Sequence, residues 1–133
     1  MLYLDASALV KRYVAEPGSD LVRDAMLGSH GAWVTCRIGL VETFRAVGFV
    51  GGRAAAERVR EEWPSIGVVE VTPALAAEAA ELSLSQELRT LDALHLAAAT
   101  RLPAADLTVA TWDRRLHAAA LRHNLQTLPA TLD

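Results

Sequence analysis

The sequence predicts a three-layer α/β fold in which helices cover both faces of a central parallel sheet of four to five strands. Short apolar segments with good β-propensity alternate with segments of helical periodicity along the chain. The first of them, Leu2-Tyr3-Leu4, is a continuous apolar run, which is typical of a strand buried on both faces. No repeat, low-complexity tract or linker divides the 133 residues, so we expect a single domain, residues 1–133.

The strands are predicted from short apolar segments that lie between turn or stop signals. They cover residues 2–4, 32–35, 68–71, 107–110 and 126–128. Gly28 precedes the second strand, Pro64 and Gly67 precede the third, and Pro103 precedes the fourth. The strands therefore alternate with the helical segments.

The helices are predicted from apolar residues at helical spacing and from their start and stop signals. They cover residues 6–15, 20–27, 38–50, 53–63, 73–85, 91–102 and 114–122. Ser19 and Thr90 are expected to be N-caps, and Pro73 occupies a first helical position. The helix 91–102 is apolar on nearly all sides and should be buried. The helix from residue 38 is expected to bury Leu40, Val41, Phe44 and Val47.

The composition is that of a globular protein, with 52% apolar and 22% charged residues. No apolar run approaches the roughly 20 residues that span a bilayer, and no signal peptide is recognised. Cys36, the single cysteine, fits a reducing compartment, so a cytoplasmic location is expected. The net charge of −3 comes from 16 acidic and 13 basic residues. If four carboxylates surround cations, 12 acids balance 13 bases, and a phosphate-bearing substrate is neither supported nor excluded.

Four acidic residues stand out. Asp5 and Asp113 directly follow predicted strands, where open α/β sheets place their ligand sites. Glu42 and Asp92 lie in apolar helical segments, where an unpaired carboxylate costs several kcal/mol to bury. Each acid also has an ordinary explanation, as a helix cap, a partner of the helix dipole or a solvated side chain. As a set, they have the ligand type that Mg²⁺ and Mn²⁺ prefer, and no His/Cys spacing suggests zinc.

The segments around these acids resemble the signature of PIN-domain proteins, and more narrowly of VapC-type toxins from toxin–antitoxin pairs. The matching segments are Asp5-Ala6-Ser7, Glu42 after the second strand, and the runs TLDALHLAAA at 90–99 and TWDRRL at 111–116. The resemblance covers essentially the whole chain. It implies a Mg²⁺- or Mn²⁺-dependent endoribonuclease that hydrolyses RNA, forms a homodimer and is inhibited by a cognate VapB-type antitoxin.

The resemblance also implies roles for the four acids. Asp5 and Asp113 would be direct ligands of the principal metal ion, and Asp92 would complete its shell directly or through water. Glu42 would bind a second metal ion or orient the attacking water. Metal ions of this kind neutralise developing charge on a phosphodiester and lower the pKa of bound water.

Five further residues have competing interpretations. Ser7 and Thr111 either hydrogen-bond the site carboxylates or substrate phosphate, or they stabilise N-caps and turns. Arg114 either contacts phosphate or is a solvated helix residue. Arg37 lies where family members often carry serine or threonine, and it is expected to neutralise a site acid or to hold a phosphate. His95, one turn from Asp92, is expected to be a packed or capping residue rather than a support of the site.

Three other functions compete with the ribonuclease. An aspartyl-phosphate phosphatase is disfavoured because it would need a second aspartate where Ser7 stands. A catalytically silent PIN module that acts as a binding protein stays open, as does a DNA-directed nuclease using the same metal chemistry.

Overall fold

The centre of the protein is a sheet of five parallel strands. The computed structural model describes residues 1–28 and 31–133, and the strands of that part are β1 (Leu2–Leu4), β2 (Trp33–Cys36), β3 (Gly67–Val69), β4 (Thr108–Ala110) and β5 (Gln126–Leu128). Their order in the sheet is β3-β2-β1-β4-β5. In register, Leu2 of β1 lies beside Trp33 on one side and Thr108 on the other. The predicted α/β class and parallel sheet are confirmed.

The helices lie between the strands in sequence, as predicted. They are α1 (Ala6–Tyr13), α2 (Ser19–Gly28), α3 (Arg37–Gly51), α4 (Arg53–Glu62), α5 (Pro73–Ser85), α6 (Thr90–Thr100) and α7 (Arg114–Arg122), with short 3₁₀ turns at Trp63–Ser65 and Ala104–Asp106. Thr72 caps α5 by accepting a hydrogen bond from the Leu75 backbone N–H at 3.1 Å. Within the described residues, no helix is long and apolar enough to cross a membrane.

The side chains of β1 divide the core between the two faces of the sheet. Tyr3 packs into a cluster with residues of α5, α6 and α7, whereas Leu2 and Leu4 pack with residues of α1, α2 and α3. Successive side chains of a strand point to opposite faces, which produces this division. Helix α6 is buried along Ala93 and His95–Ala99, as its apolar sequence predicted. β1 is therefore covered on both faces and hydrogen-bonded on both edges.

Three predictions about helices are corrected. Ser19 is the first residue of α2, and its hydroxyl donates to the Val14 carbonyl and accepts from the Glu16 N–H. Thr90 is the first residue of α6, whose N-cap is Arg89, without a side-chain capping bond. Val41 is 59% exposed, because the buried face of α3 runs through Leu40, Thr43 and Val47 and the 100° rotation per residue turns Val41 away.

The parallel arrangement brings the carboxyl ends of β1 and β4 together, since these strands are neighbours. Asp5 follows β1, and Thr111, Trp112 and Asp113 follow β4. α3 begins directly after β2, at Arg37, so Glu42 lies near its start. Residues far apart in sequence thus meet at the carboxyl-terminal end of the sheet.

Candidate active site

Asp5 is a buried carboxylate with a complete set of hydrogen-bond donors. It is 4% exposed and is the N-cap of α1, accepting from the Ala8 N–H at 3.0 Å. The Ser7 hydroxyl donates to its Oδ1 and the Thr111 hydroxyl to its Oδ2, both at 2.6 Å. Burial raises the pKa of Asp5 above its ordinary value, and the nearby His95 and these hydrogen bonds act in the opposite direction. Asp5 is therefore fixed in one orientation.

Ser7 and Thr111 connect the ends of β1 and β4. The Thr111 hydroxyl, which donates to Asp5, also accepts from the Asp113 N–H at 3.0 Å. The Ser7 hydroxyl accepts from the Trp112 N–H at 2.8 Å. Of the two interpretations made from sequence, hydrogen bonding to a site carboxylate applies to both residues. Each hydroxyl therefore donates a hydrogen bond to Asp5 and accepts one from a backbone N–H of the segment after β4.

Asp113 and Asp92 share one cation, Arg89. Asp113 caps α7 by accepting from the backbone N–H groups of Arg115 and Leu116 through Oδ1. The Arg89 guanidinium lies 3.4 Å from Asp113 Oδ2 and 3.6 Å from Asp92 Oδ2. The sequence analysis missed Arg89 as a site residue. Its position three residues before Asp92, a spacing that brings side chains together on a helix, is the signal that could have identified it.

Asp92 is held less completely than the other two aspartates. Its Oδ2 is buried and has no hydrogen-bond partner. Burial raises the pKa of Asp92, repulsion from Asp113 and Asp5 raises it further, and Arg89 and His95 oppose the rise. Asp92 therefore lies within electrostatic reach of both Asp113 and Asp5. A buried carboxylate oxygen that accepts no hydrogen bond and has only the exposed Arg89 as a counter-charge, at 3.6 Å, favours a bound cation.

Glu42 is positioned by a hydrogen-bonded chain from the core. His95, 2% exposed, has its Nε2 2.8 Å from Glu42 Oε1 and its Nδ1 2.6 Å from the Tyr3 hydroxyl. Burial raises the pKa of Tyr3, so its hydroxyl keeps its proton and shares a hydrogen bond with Nδ1. Nε2 carries a proton and donates it in a hydrogen bond to Glu42. His95 is packed, as expected, and it also hydrogen-bonds Glu42, which the sequence did not lead us to expect.

Of two arginines predicted from the sequence to bind near these acids, Arg37 pairs with an acid outside the set and Arg114 lies next to Asp113. The Arg37 guanidinium donates to Glu70 at 2.7 and 3.1 Å in an exposed ion pair. The expectation that it neutralises one of the four acids is therefore wrong, because Glu70 after β3 is its partner. Arg114, at the start of α7, is exposed next to Asp113.

The carboxylate oxygens of these acids are suitable ligands for a hard divalent cation, although the side chains do not lie close enough together to hold one as they stand. Carboxylate oxygens are the ligands that Mg²⁺ and Mn²⁺ prefer, and Asp92 Oδ2 is a buried oxygen that lacks a donor. In residues 1–28 and 31–133, no three His, Cys, Asp or Glu side chains lie close enough together to hold a metal ion as they stand. Arg89 supplies the positive charge beside Asp92 and Asp113, and its side chain is 71% exposed.

An Asp92→Asn variant is expected to be more stable than the wild-type protein at pH 7, by about 1 kcal/mol. The substitution removes a charge that is partly buried, accepts no hydrogen bond at Oδ2, is repelled by two other aspartates and is only weakly compensated by the exposed Arg89 at 3.6 Å. Because the pKa of Asp92 is raised on folding, its charge destabilises the folded state as the pH rises above the ordinary value of 3.8. The difference should therefore shrink at acidic pH. Urea denaturation at pH 7 and near pH 4 measures it.

Asp24→Asn is the matched control for that variant, because Asp24 is exposed on α2. We expect its stability to differ little from that of the wild-type protein. A loss of stability in Asp92→Asn at pH 7 would mean that Arg89 more than compensates for the repulsion.

A Gly39→Ala variant is expected to lower the free energy of unfolding by about 2 kcal/mol, as overpacking does in a filled core. A Cβ at this position of α3 would overlap the Thr35 hydroxyl and lie 3.0 Å from His95 Cε1. The substitution therefore presses on the ring that holds Glu42. Gly28→Ala is the control, because a Cβ there meets nothing within 4 Å. Equal urea midpoints for the two variants would contradict the expected crowding.

Comparisons with known proteins agree with this geometry. The model of the PIN domain family matches residues 2–122. The chain is 37% identical over 141 aligned residues to "Ribonuclease VapC49" of Mycobacterium tuberculosis (strain ATCC 25618 / H37Rv), and the alignment covers 100% of this chain and 98% of that relative.

Solved structures have the same fold at lower sequence identity. The crystal structure of Mycobacterium tuberculosis VapC20, described as a sarcin-ricin loop cleaving toxin, superposes with a TM-score of 0.77 at 18% identity, covering 90% of this chain and 95% of that one. A toxin–antitoxin complex from Klebsiella pneumoniae gives a TM-score of 0.69 at 15% identity, covering 85% and 87%. With a family match over nearly its whole length and a relative 37% identical from end to end, the chain belongs to the PIN-domain family and, within it, to the VapC proteins.

Proposed function

We propose that this protein is a metal-dependent endoribonuclease toxin that hydrolyses RNA phosphodiester bonds at a site made of Asp5, Glu42, Asp92 and Asp113. The observation that carries the proposal is that Asp5 at the end of β1 and Asp113 at the end of β4 both repel Asp92 of α6, whose buried Oδ2 accepts no hydrogen bond. A fold gains no stability from such an arrangement, so we attribute it to catalysis.

The choice of RNA as substrate is supported by the relatives. VapC49, which aligns with the whole chain, is named a ribonuclease. VapC20, which shares the fold, is described as cleaving the sarcin-ricin loop. Which RNA this chain cuts is a separate question, because selection among folded RNAs depends on the shape of the surface presented to them.

The proposed roles follow from how each acid is held. Asp5 and Asp113 would be the principal ligands of a Mg²⁺ or Mn²⁺ ion, since hydrogen bonds fix one carboxylate oxygen of Asp113 and both of Asp5. Asp92 would contribute Oδ2, which accepts no hydrogen bond, and the exposed Arg89 would withdraw from it. Glu42, oriented by His95, would hold a second ion or align the attacking water. A bound divalent ion supplies charge neutralisation at the phosphate and a more acidic water.

A protein partner is also proposed. The Klebsiella pneumoniae structure is described as a toxin–antitoxin complex, which supports a VapB-type antitoxin as the partner that inhibits this chain. We also expect a homodimer, as the family resemblance implies. A cellular RNA substrate and a single buried cysteine are both consistent with action in the cytoplasm.

The test is to incubate the purified protein with a defined mixture of cellular RNAs in Mg²⁺, Mn²⁺ or a chelator, and to map the cleavage sites. The Asp92→Asn variant is the control, because its expected stability excludes unfolding as the cause of lost activity. Discrete cuts that need metal and are absent from the variant would support the proposal.

Other outcomes would overturn the proposal in distinguishable ways. Metal-dependent cutting of single-stranded DNA without any cutting of RNA would identify a DNA-directed nuclease. If the protein neither cleaved nucleic acid nor bound metal, it would be a catalytically silent binding module. Expression in a host tests the toxin itself: growth should slow, and co-expression of the protein encoded by the adjacent reading frame should restore it.

A further inference from the structure

A groove beside the candidate active site carries positive charge on an otherwise acidic protein. It lies between the C-terminal end of α5 and one side of α7. The lining residues that matter here are Gln86, Glu87, Arg114, Arg115, Ala118 and Arg122. Three arginines thus lie in one groove of a chain whose net charge is −3.

The three arginines lack carboxylate partners. Within the described residues, neither Arg114, Arg115 nor Arg122 forms an ion pair. Arg122 donates from Nε to the Gln86 side-chain oxygen at 2.7 Å, which orients the guanidinium without neutralising it. Glu87 is the one acid that lines the groove. Two positive charges therefore remain in excess.

Helix stability does not explain the arginines at the start of α7. Arg114 and Arg115 occupy its first turn, where the helix dipole disfavours cations. Arg122 lies in the last turn, where the helix dipole favours a cation. The dipole therefore accounts for Arg122 but not for Arg114 and Arg115. Arginines that oppose the dipole and are exposed fit a role in binding an anion.

The groove runs along α7, and the N-terminal end of this helix lies at the candidate active site. Asp113 caps α7, and Arg114, Arg115, Ala118 and Arg122 follow at the spacing of one helical face. At 1.5 Å per residue, this stripe extends about 12 Å from the first arginine to the last. Ala118 lies between the arginines and keeps the middle of the groove open. A polyanion lying in the groove would therefore reach the acidic site at its Asp113 end.

We propose that this groove binds the sugar-phosphate backbone of the RNA strand on one side of the cleaved bond. The inference rests on the proposed ribonuclease function and adds where the substrate lies and which side chains hold it. Arg114, Arg115 and Arg122 contact phosphates, and Gln86 keeps Arg122 in position. Contacts to phosphates fix the register of a strand without reading its sequence, so the groove serves positioning rather than base selection.

The experiment measures binding separately from cleavage. In an Asp92→Asn background, the Kd for a single-stranded RNA is measured against salt concentration, with and without Arg114→Gln, Arg115→Gln and Arg122→Gln together. Three lost phosphate contacts should reduce the slope of log Kd against log salt by about 2 and weaken binding at least about 10-fold at low salt. The control variant carries Arg53→Gln, Arg58→Gln and Arg60→Gln, which remove the same charge from α4. Helix α4 packs on α1 and α3.

Equal salt slopes for the groove and α4 variants would overturn the inference. The proposed function is tested separately by the wild-type protein. If it cuts RNA and the slopes are equal, only the groove assignment fails. If it cuts no RNA and the groove variant alone loses affinity, the groove stands as an RNA-binding surface and the ribonuclease proposal fails. For the active protein, the groove variant should raise KM more than it lowers kcat.

Discussion

An Asp5→Asn variant is expected to lose metal-dependent RNA cleavage by at least about 100-fold. Loss of a ligand removes several kcal/mol of charge stabilisation in the transition state, and each 1.4 kcal/mol is about tenfold in rate. The fold should survive, because asparagine still offers an oxygen to the Ala8 N–H and remains a good N-cap. Cleavage rates in Mg²⁺ and Mn²⁺ give the activity, and calorimetric titration with Mn²⁺ gives an independent measure of metal affinity.

The control for this variant is Asp24→Asn, which makes the same chemical change on exposed α2. It should cut RNA at the wild-type rate and bind Mn²⁺ with unchanged affinity. Full metal-dependent activity in Asp5→Asn would show that the proposed site is wrong. Lost activity with unchanged Mn²⁺ affinity would instead assign Asp5 to a role other than metal binding.

A His95→Ala variant is expected to lower the free energy of unfolding by about 3 kcal/mol and to reduce cleavage by about 10–100-fold. The stability falls because a buried ring is lost and the Tyr3 hydroxyl is left unpaired in the core. The activity falls because Glu42 loses the donor that orients it, and removing groups that orient metal ligands typically has an effect of this size. Urea denaturation and cleavage kinetics measure the two effects.

A His95→Gln variant distinguishes orientation from packing. Its side-chain amide has both a donor and an acceptor, so it can donate to Glu42 and accept from Tyr3. We expect it to recover more cleavage activity than stability. If His95→Gln were as inactive as His95→Ala while equally well folded, the hydrogen bond to Glu42 would have no positioning role.

The elements, and the places of Asp5 and Asp113 at strand ends, were predictable because their signals are local. Leu2-Tyr3-Leu4 followed by Asp5 predicts a strand and the residue at its carboxyl end, and the strand order then brings Asp5 near Thr111. Asp113 was predictable for the same reason, since it follows the neighbouring strand. The apolar surroundings of Asp92 correctly predicted a buried helix. The four acids as a working catalytic set remain a proposal.

The contacts that cross the sheet were not predictable, because sequence spacing does not report them. Tyr3 and His95 are 92 positions apart, and their hydrogen bond depends on which face of β1 packs on α6. Arg37 pairs with Glu70 because β2 and β3 are neighbours in register, a fact that no local pattern carries. Arg89 was missed in part because its side chain reaches Asp113, on another helix, as well as Asp92.

The distance in sequence between Asp5 and Thr111, 106 positions, has a consequence for the protein during its synthesis. Asp5 is synthesised 106 positions before its Thr111 donor, so this hydrogen bond cannot form until Thr111 has left the ribosome. Contacts of such separation also form late in folding, after the entropy of closing a long loop has been overcome. A nascent chain that ends before Thr111 therefore carries Asp5 without this donor, and the proposed site is assembled only after Thr111 has been translated and has folded against β1.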